Sequence, residues 1–144
     1  MSTPMPDPEK VRAFLDRALP AMLGVVGTIS PDGGPNVVPV WYRYDGERVH
    51  IWTHEPRAWV QHLLRDNRVA FSVQEEEPPY GAVLMRGRAE VVTSDGPEVD
   101  EEIRRITRRY IPEAEVESYI QDWLPLRTIV SITPHKIVAW GKGY

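Results

Sequence analysis

A chain of 144 residues with 17 basic and 21 acidic groups carries a net charge of −4, long enough for one domain and too short for two ordinary ones. Its hydrophobic share of 42% supplies a core, no apolar run approaches the roughly 18–20 residues of a membrane span, and residues 1–10 are polar and Pro-rich rather than leader-like. The absence of cysteine excludes disulfides, thiolate nucleophiles, iron–sulfur clusters and thiolate zinc sites, and the acidic balance argues against a nucleic-acid partner. These features predict one cytoplasmic domain over 1–144, with residues 1–7 disordered and neither membrane nor nucleic acid as a partner.

The first predicted element is a helix over Pro8–Leu19, with Asp7 as N-cap, Pro8 at its first position, and Val11, Phe14, Leu15 and Leu19 as one apolar stripe. Strands are expected over Met22–Ile29, where Gly24 and Gly27 invite close backbone approach, then Asn36–Tyr44 and Arg48–Thr53. Ser30–Gly34 has turn chemistry, and Asp45-Gly46 is a hairpin signal. The hydrophobic period lengthens to about 3.6 over Pro56–Asp66, with Val60, Leu63 and Leu64 on one face and Trp59 at its margin. A helix is expected there, stopped by Asn67.

Arg68–Gln74 and Ala82–Val92 read as an antiparallel pair joined across the acidic loop Glu75–Gly81. A surface helix follows over Pro97–Arg109, with Asp100–Arg104 and Glu101–Arg105 at i,i+4 spacing. Beyond Pro112 a short helix is expected over Glu113–Trp123, and Arg127–Trp140 closes the chain as a long strand bent near Pro134. Six strands with small helices between them predict a mainly β fold, a six-stranded antiparallel barrel, because closure removes exposed edges. The element order does not repeat βαβ units, which argues against a doubly wound parallel sheet.

No glycine-rich dinucleotide motif, P-loop or nucleophile elbow is present. His50, His54, His62 and His135 show no metal-ligand spacing, Ser30 and Ser72 have no His or Asp partner in sequence, and Glu75–Glu77 reads as solvated surface. No catalytic side chain and no metal site is therefore predicted. Any chemistry belongs to a bound cofactor.

One segment could hold such a group. Pro39 stands inside a strand, where a ladder donor is lost, which marks an edge, a bulge or a face turned to a ligand. The next strand runs into a helix through Trp52-Thr53 and Arg57-Ala58, where a hydroxyl, helix-start amides and a guanidinium could converge on a phosphate. Thr53 serves equally well as a helix cap and Arg57 as a surface charge. Trp41, Trp52, Trp59 and Trp140 fall at strand ends or at this junction, either as flat walls for a planar ring or as core and interface packing. Of the 17 basic residues 14 are arginine, which favours anion recognition modestly, although a composition bias accounts for it as well.

Leu23 to Thr28, Asp32-Gly33, Pro35 to Tyr42, Asp45-Gly46, Trp52-Thr53, Arg57-Ala58, Asn67 to Ala70, Arg86 to Ala89 and Trp140-Gly141 follow one another in a familiar order. The set resembles the pyridoxamine 5′-phosphate oxidase-like split-barrel proteins, in particular the small flavin- and deazaflavin-dependent oxidoreductases. The resemblance implies a homodimer with two cofactors, FMN or the deazaflavin coenzyme F-420, in the subunit interface. It places the phosphate at Thr53, Arg57 and Ala58 and the ring along Pro39–Trp41. Val38, Val40, Trp52, Trp59 and Gln74 complete the implied site, with Trp140 near the ring from one subunit or the other. The implied activity is hydride transfer between the cofactor and a small conjugated organic substrate. The alternative is a non-catalytic protein that binds or sequesters a flavin, haem or tetrapyrrole. One departure stands out: Trp59 occupies a position where family members often carry a basic residue, so a phosphate partner is lost.

Overall fold

The computed structural model describes residues 6–17, 21–53, 57–122 and 127–141. In chain order the elements are α1 (Pro8–Leu15), β1 (Gly24–Ile29), β2 (Pro35–Val40), β3 (Arg43–Tyr44), β4 (Val49–Thr53) and α2 (Ala58–Arg65). They continue as β5 (Arg68–Gln74), β6 (Ala82–Thr93), α3 (Pro97–Thr107), α4 (Glu113–Gln121) and β7 (Thr128–Trp140). Helix α1 starts as expected, since the Asp7 side chain accepts from the Glu9 N–H at 3.0 Å and Pro8 opens the first turn. It closes on Asp16, and the expected end at Leu19 lies outside the described residues.

All the strands join one antiparallel sheet in the order β2-β1-β5-β6-β7-β4-β3. Among the described residues there are seven strands, not six, because the expected strand over Asn36–Tyr44 breaks at Trp41-Tyr42. Its two halves, β2 and β3, stand at opposite edges of the sheet although two residues separate them. The sheet must therefore curl until its edges approach, giving a half-barrel. Tyr42 explains the break. Its side chain is fully buried, donates its hydroxyl to the Leu15 carbonyl at 2.8 Å, and meets Phe71 edge-on at 5.2 Å. A backbone that turns a ring into the interior at that point leaves the ladder.

Inside the curl, Val26, Val49, Ile51, Phe71, Met85 and Ile132 pack with Val11, Phe14 and Leu15 of α1. Helix α2 presents Trp59, Val60 and Leu63 to this core, so Leu64, expected on the buried face, is 61% exposed and Trp59 replaces it. A second cluster joins Val99 and Ile103 of α3 to Val116 and Ile120 of α4 over Ile129. On α3 the Glu101–Arg105 pair forms at 3.4 Å. The expected Asp100–Arg104 pair does not, because tertiary partners compete: Asp100 meets the buried Arg127, and Arg104 bonds Glu117 on α4.

Both hairpin turns use the anticipated residues, with Gly33 and Gly46 at positive φ (84° and 97°). Ser30 does have an acidic partner, correcting the sequence reading, but it is Asp32 of its own turn, which also accepts from the Gly34 N–H. At the second hairpin a buried polar chain forms. Asp45 Oδ2 lies 2.7 Å from His50 Nε2, and His50 Nδ1 lies 2.8 Å from the Ser131 hydroxyl. An ionised Asp45 can only accept, so Nε2 carries the proton and, in the neutral ring, Nδ1 accepts from Ser131. Partial burial pushes the Asp45 carboxyl up, but the bonds from His50 and from the Arg48 and Glu47 N–H groups outweigh it and hold the group below the usual carboxylate range.

A depressed folded-state pKa stabilises the fold above the unfolded value and is lost as pH falls through the folded one. Asp45→Asn is therefore expected to cost about 1–2 kcal/mol near neutral pH, and the difference from the parent should shrink below about pH 4, as measured by denaturant unfolding across pH.

Strand β7 bends where expected, with a register shift opposite Arg86/Gly87. A Cβ on Gly87 would collide with the Thr133 carbonyl and the Pro134 backbone, neither of which can move aside. Gly87→Ala should lower stability by about 1–3 kcal/mol in the same unfolding measurement.

Candidate functional site

Edge strand β2, the end of β4 and the start of α2 converge on a cleft of about 340 Å³, within the range of roughly 300–1,000 Å³ typical of small-ligand sites. Its walls are Val38, Pro39, Val40, Trp41, Trp52, Thr53, Arg57, Trp59 and Tyr119. Eight of the eleven sequence-predicted site residues thus line one cavity. Pro39 is tolerated because β2 pairs with β1 alone and has no second neighbour that needs its missing N–H. Ala58 is exposed as the first residue of α2.

Gln74 and Trp140 are not on this cleft. Gln74 borders an adjoining depression that shares Pro39, and Trp140 donates its indole N–H to the Tyr80 carbonyl at 3.2 Å. Both belong to one row across the sheet, Gln74 opposite Ala82 and Ala82 opposite Trp140. Within one protomer neither of the two lines the cleft.

Thr53 caps nothing. It is buried at the end of β4, and the N-cap of α2 is Arg57, without a side-chain cap bond. His54 to Pro56, between them, lie outside the described residues. The first-turn amides of Ala58 and Trp59 have no intrahelical acceptor by their position, which gives the cleft donors beside the Arg57 guanidinium. Among the described lining residues Arg57 is the only one of a formally charged type.

The aromatic wall is held by two tyrosines, Tyr110 behind it and Tyr119 on the cleft itself. Trp41 stacks on Tyr110 at 4.9 Å with the planes 3° apart, and Tyr119 leans on it at 5.3 Å. Tyr119 also meets Trp52 edge-on at 6.3 Å. Tyr110 is anchored in turn: its hydroxyl donates to the Met22 carbonyl at 2.8 Å and accepts from the Tyr42 N–H at 3.2 Å, and burial pushes its pKa up. Tyr110 and Tyr119 were not anticipated. They arrive from the far end of the chain, and the one signal was an aromatic residue in an otherwise acidic, polar α4.

Trp59 settles between its two sequence readings by burial. It is 5% exposed and packed in the main core, while one edge still lines the cleft. A Lys there would carry an ammonium into apolar surroundings. Trp59→Lys is expected to cost about 3–5 kcal/mol of stability in denaturant unfolding. Unchanged stability would show that the ring does not serve the core.

Among the described residues no cluster of His, Asp or Glu could hold a metal, and no helix is long and apolar enough to cross a membrane. The curled antiparallel sheet with a cleft beside its edge strand is the split-barrel arrangement. The chain belongs to the pyridoxamine 5′-phosphate oxidase family, whose model matches residues 7–141.

Solved structures agree on the fold. An F420 reductase is 23% identical with a TM-score of 0.65, over 88% of this chain and 94% of that one. A conserved hypothetical protein of Mycobacterium tuberculosis is 24% identical with a TM-score of 0.64, over 92% and 81%. An FAD-binding protein of Mesorhizobium loti is 17% identical with a TM-score of 0.63, over 91% of each chain. At these identities the likeness is one of fold alone. No curated protein sequence matches the chain.

Proposed function

We propose that this protein is a homodimeric oxidoreductase that holds FMN or the deazaflavin coenzyme F-420 in the β2–β4–α2 cleft and serves a small conjugated organic substrate. The observation that carries the reading is the cleft's composition, one guanidinium and a helix start at one end and a rigid aromatic and β-strand wall at the other. A phosphate fits Arg57, the Thr53 hydroxyl and the α2 amides. A planar ring fits the flank of Val38, Pro39 and Val40, with Trp41 and Trp52 as walls. The family, and neighbours described as an F420 reductase and an FAD-binding protein, support a flavin-type group. When bound, that group supplies the hydride chemistry.

The residues of this chain bind and orient. Trp41 is held flat by Tyr110 before any ligand arrives, so the wall costs little ordering on binding. With Trp59 turned into the core, the phosphate charge rests on Arg57.

Titration of the purified protein with FMN and with F-420, followed by tryptophan fluorescence, tests the cradle. Arg57→Ala should weaken the bound cofactor by about 1.5–3 kcal/mol, roughly 10- to 150-fold. Equal affinity of parent and variant for both cofactors would remove the phosphate site. Tight binding with no hydride transfer to conjugated acceptors would favour the second reading, a protein that sequesters its ligand; the absence of a carboxylate or imidazole among the described lining residues is consistent with either.

A further inference from the structure

Alternation along β1 turns Val25 away from the core, and the register sets it between Pro39 of β2 and Ser72 of β5, so these three side chains share the outer face of the sheet. Val25 is 37% exposed, and Leu23, just before the strand, 51%. With Met22 they floor a depression of about 600 Å³, whose far rim is formed by the loop residues Glu75 to Pro78. That volume falls within the range of small-ligand sites. Pro39 belongs to the wall of this depression and to the wall of the cleft, so the two hollows meet at one residue of the edge strand.

The polar groups of the depression differ from those of the cleft. Arg17 pairs with Glu75 at 3.0 Å, and the other carboxylate oxygen of Glu75 accepts from the Gly81 N–H at 2.8 Å, so that pair closes on itself. Glu76 and Glu77 are exposed, and among the described residues neither meets a cation. Among the described lining residues there is no histidine and no cation besides Arg17. The rim thus carries the uncompensated carboxylates of Glu76 and Glu77 beside an apolar floor, whereas the cleft offers Arg57 and the first-turn amides of α2. A phosphate-bearing group is repelled from the depression, which leaves it open to a different ligand.

The concavity and its floor, rather than the carboxylates, make this a place for a ligand. Exposed leucine and valine side chains in a hollow leave water only when something apolar covers them. The carboxylates then set the sign of what covers them. A conjugated body laid on Met22, Leu23 and Val25 has one end at Pro39, the flank assigned above to the cofactor ring, and a protonated amine at its other end meets Glu76 and Glu77. Gln74, at the end of β5, adds an amide that can donate or accept.

We propose that this depression is the substrate site, and that the substrate is a conjugated molecule carrying a cationic amino group, its apolar body on Leu23 and Val25 and its ammonium at Glu76 and Glu77. The proposal rests on the cofactor reading above and adds the class and orientation of the substrate, conjugated end toward Pro39 and cation toward the acidic loop. Cleft and depression share only Pro39, so cofactor and substrate bind at the same time.

Equilibrium dialysis of the full chain, with and without FMN or F-420, tests it against methyl cinnamates bearing a para-aminomethyl, para-ethyl or para-carboxyl group, which are a cation, a neutral molecule and an anion near neutral pH. The cation should bind about tenfold more tightly than the neutral ester and the anion more weakly than either, with the preference fading as salt rises. Glu76→Gln with Glu77→Gln should weaken the cation about three- to tenfold and leave the neutral ester and the cofactor affinity where they were. Leu23→Arg should reverse the preference, and thermal melts show that these exposed variants stay folded. No binding, equal affinity for the three esters, or a cation preference untouched by the Glu76 and Glu77 changes would overturn the substrate site while leaving the cofactor reading intact. Displacement of the cation by FMN or F-420 would put both in the cleft and overturn it as well. Failure of either cofactor to bind, with the cation preference kept, would overturn the cofactor reading and with it the substrate role, though not the cation site.

Discussion

The two residues between β2 and β3 constrain everything around them. A strand whose halves lie on opposite edges of one sheet forces the sheet to curl, and the pair at the break must point two ways. Tyr42 turns in, filling the interior and tying α1 through the Leu15 carbonyl. Trp41 turns toward the cleft and is held there by Tyr110 and Tyr119. The same two residues thus close the half-barrel and raise the wall of the cleft. A ligand wall set by the closure of the fold is rigid, which is what orienting a planar cofactor demands.

Arginine does most of the fastening. Arg43 on β3 holds Glu102 of α3 through two bonds of 2.7 and 2.5 Å. Arg109 lies over the Tyr42 ring at 4.5 Å and donates to the Leu15 carbonyl at 3.0 Å, and the buried Arg127 meets Asp100. Planar, multiply donating guanidinium groups suit these half-buried joints, where a lysine would satisfy fewer acceptors. Much of the arginine bias therefore serves the docking of α1, α3 and α4 on the sheet. Arg57, at the mouth of the cleft, is placed differently.

Trp59 shows how core and site compete for one position. Helix α2 must bury a stripe against the barrel, and 59, 60 and 63 are the positions that face it. A large ring at 59 adds apolar burial where a cation would have added charge to the cleft. The chain thus gains core at the expense of one charge on the cleft, where Arg57 and the first-turn amides of α2 remain as donor groups.

Most strands and every helix were legible in the amino-acid sequence, because period-2 and period-3.6 patterns, Gly turns and Pro starts act over a few residues. β5 matched residue for residue, and both hairpin turns fell where Gly33 and Gly46 had to adopt positive φ. The candidate cleft was legible as well, since Pro39 inside β2, Thr53 at the end of β4 and Arg57 at the start of α2 lie on neighbouring elements of the chain. The break at Trp41-Tyr42 was not, because an alternating strand reads the same whether or not its middle ring is drawn inside. Nor were the partners of Asp100, the burial of Trp59 in place of Leu64, the Asp45–His50–Ser131 chain, or the two tyrosines behind Trp41. Each depends on which distant elements the curl of the sheet sets side by side. Local pattern determined the elements and the chemistry each could offer; long-range packing decided which of those groups meet.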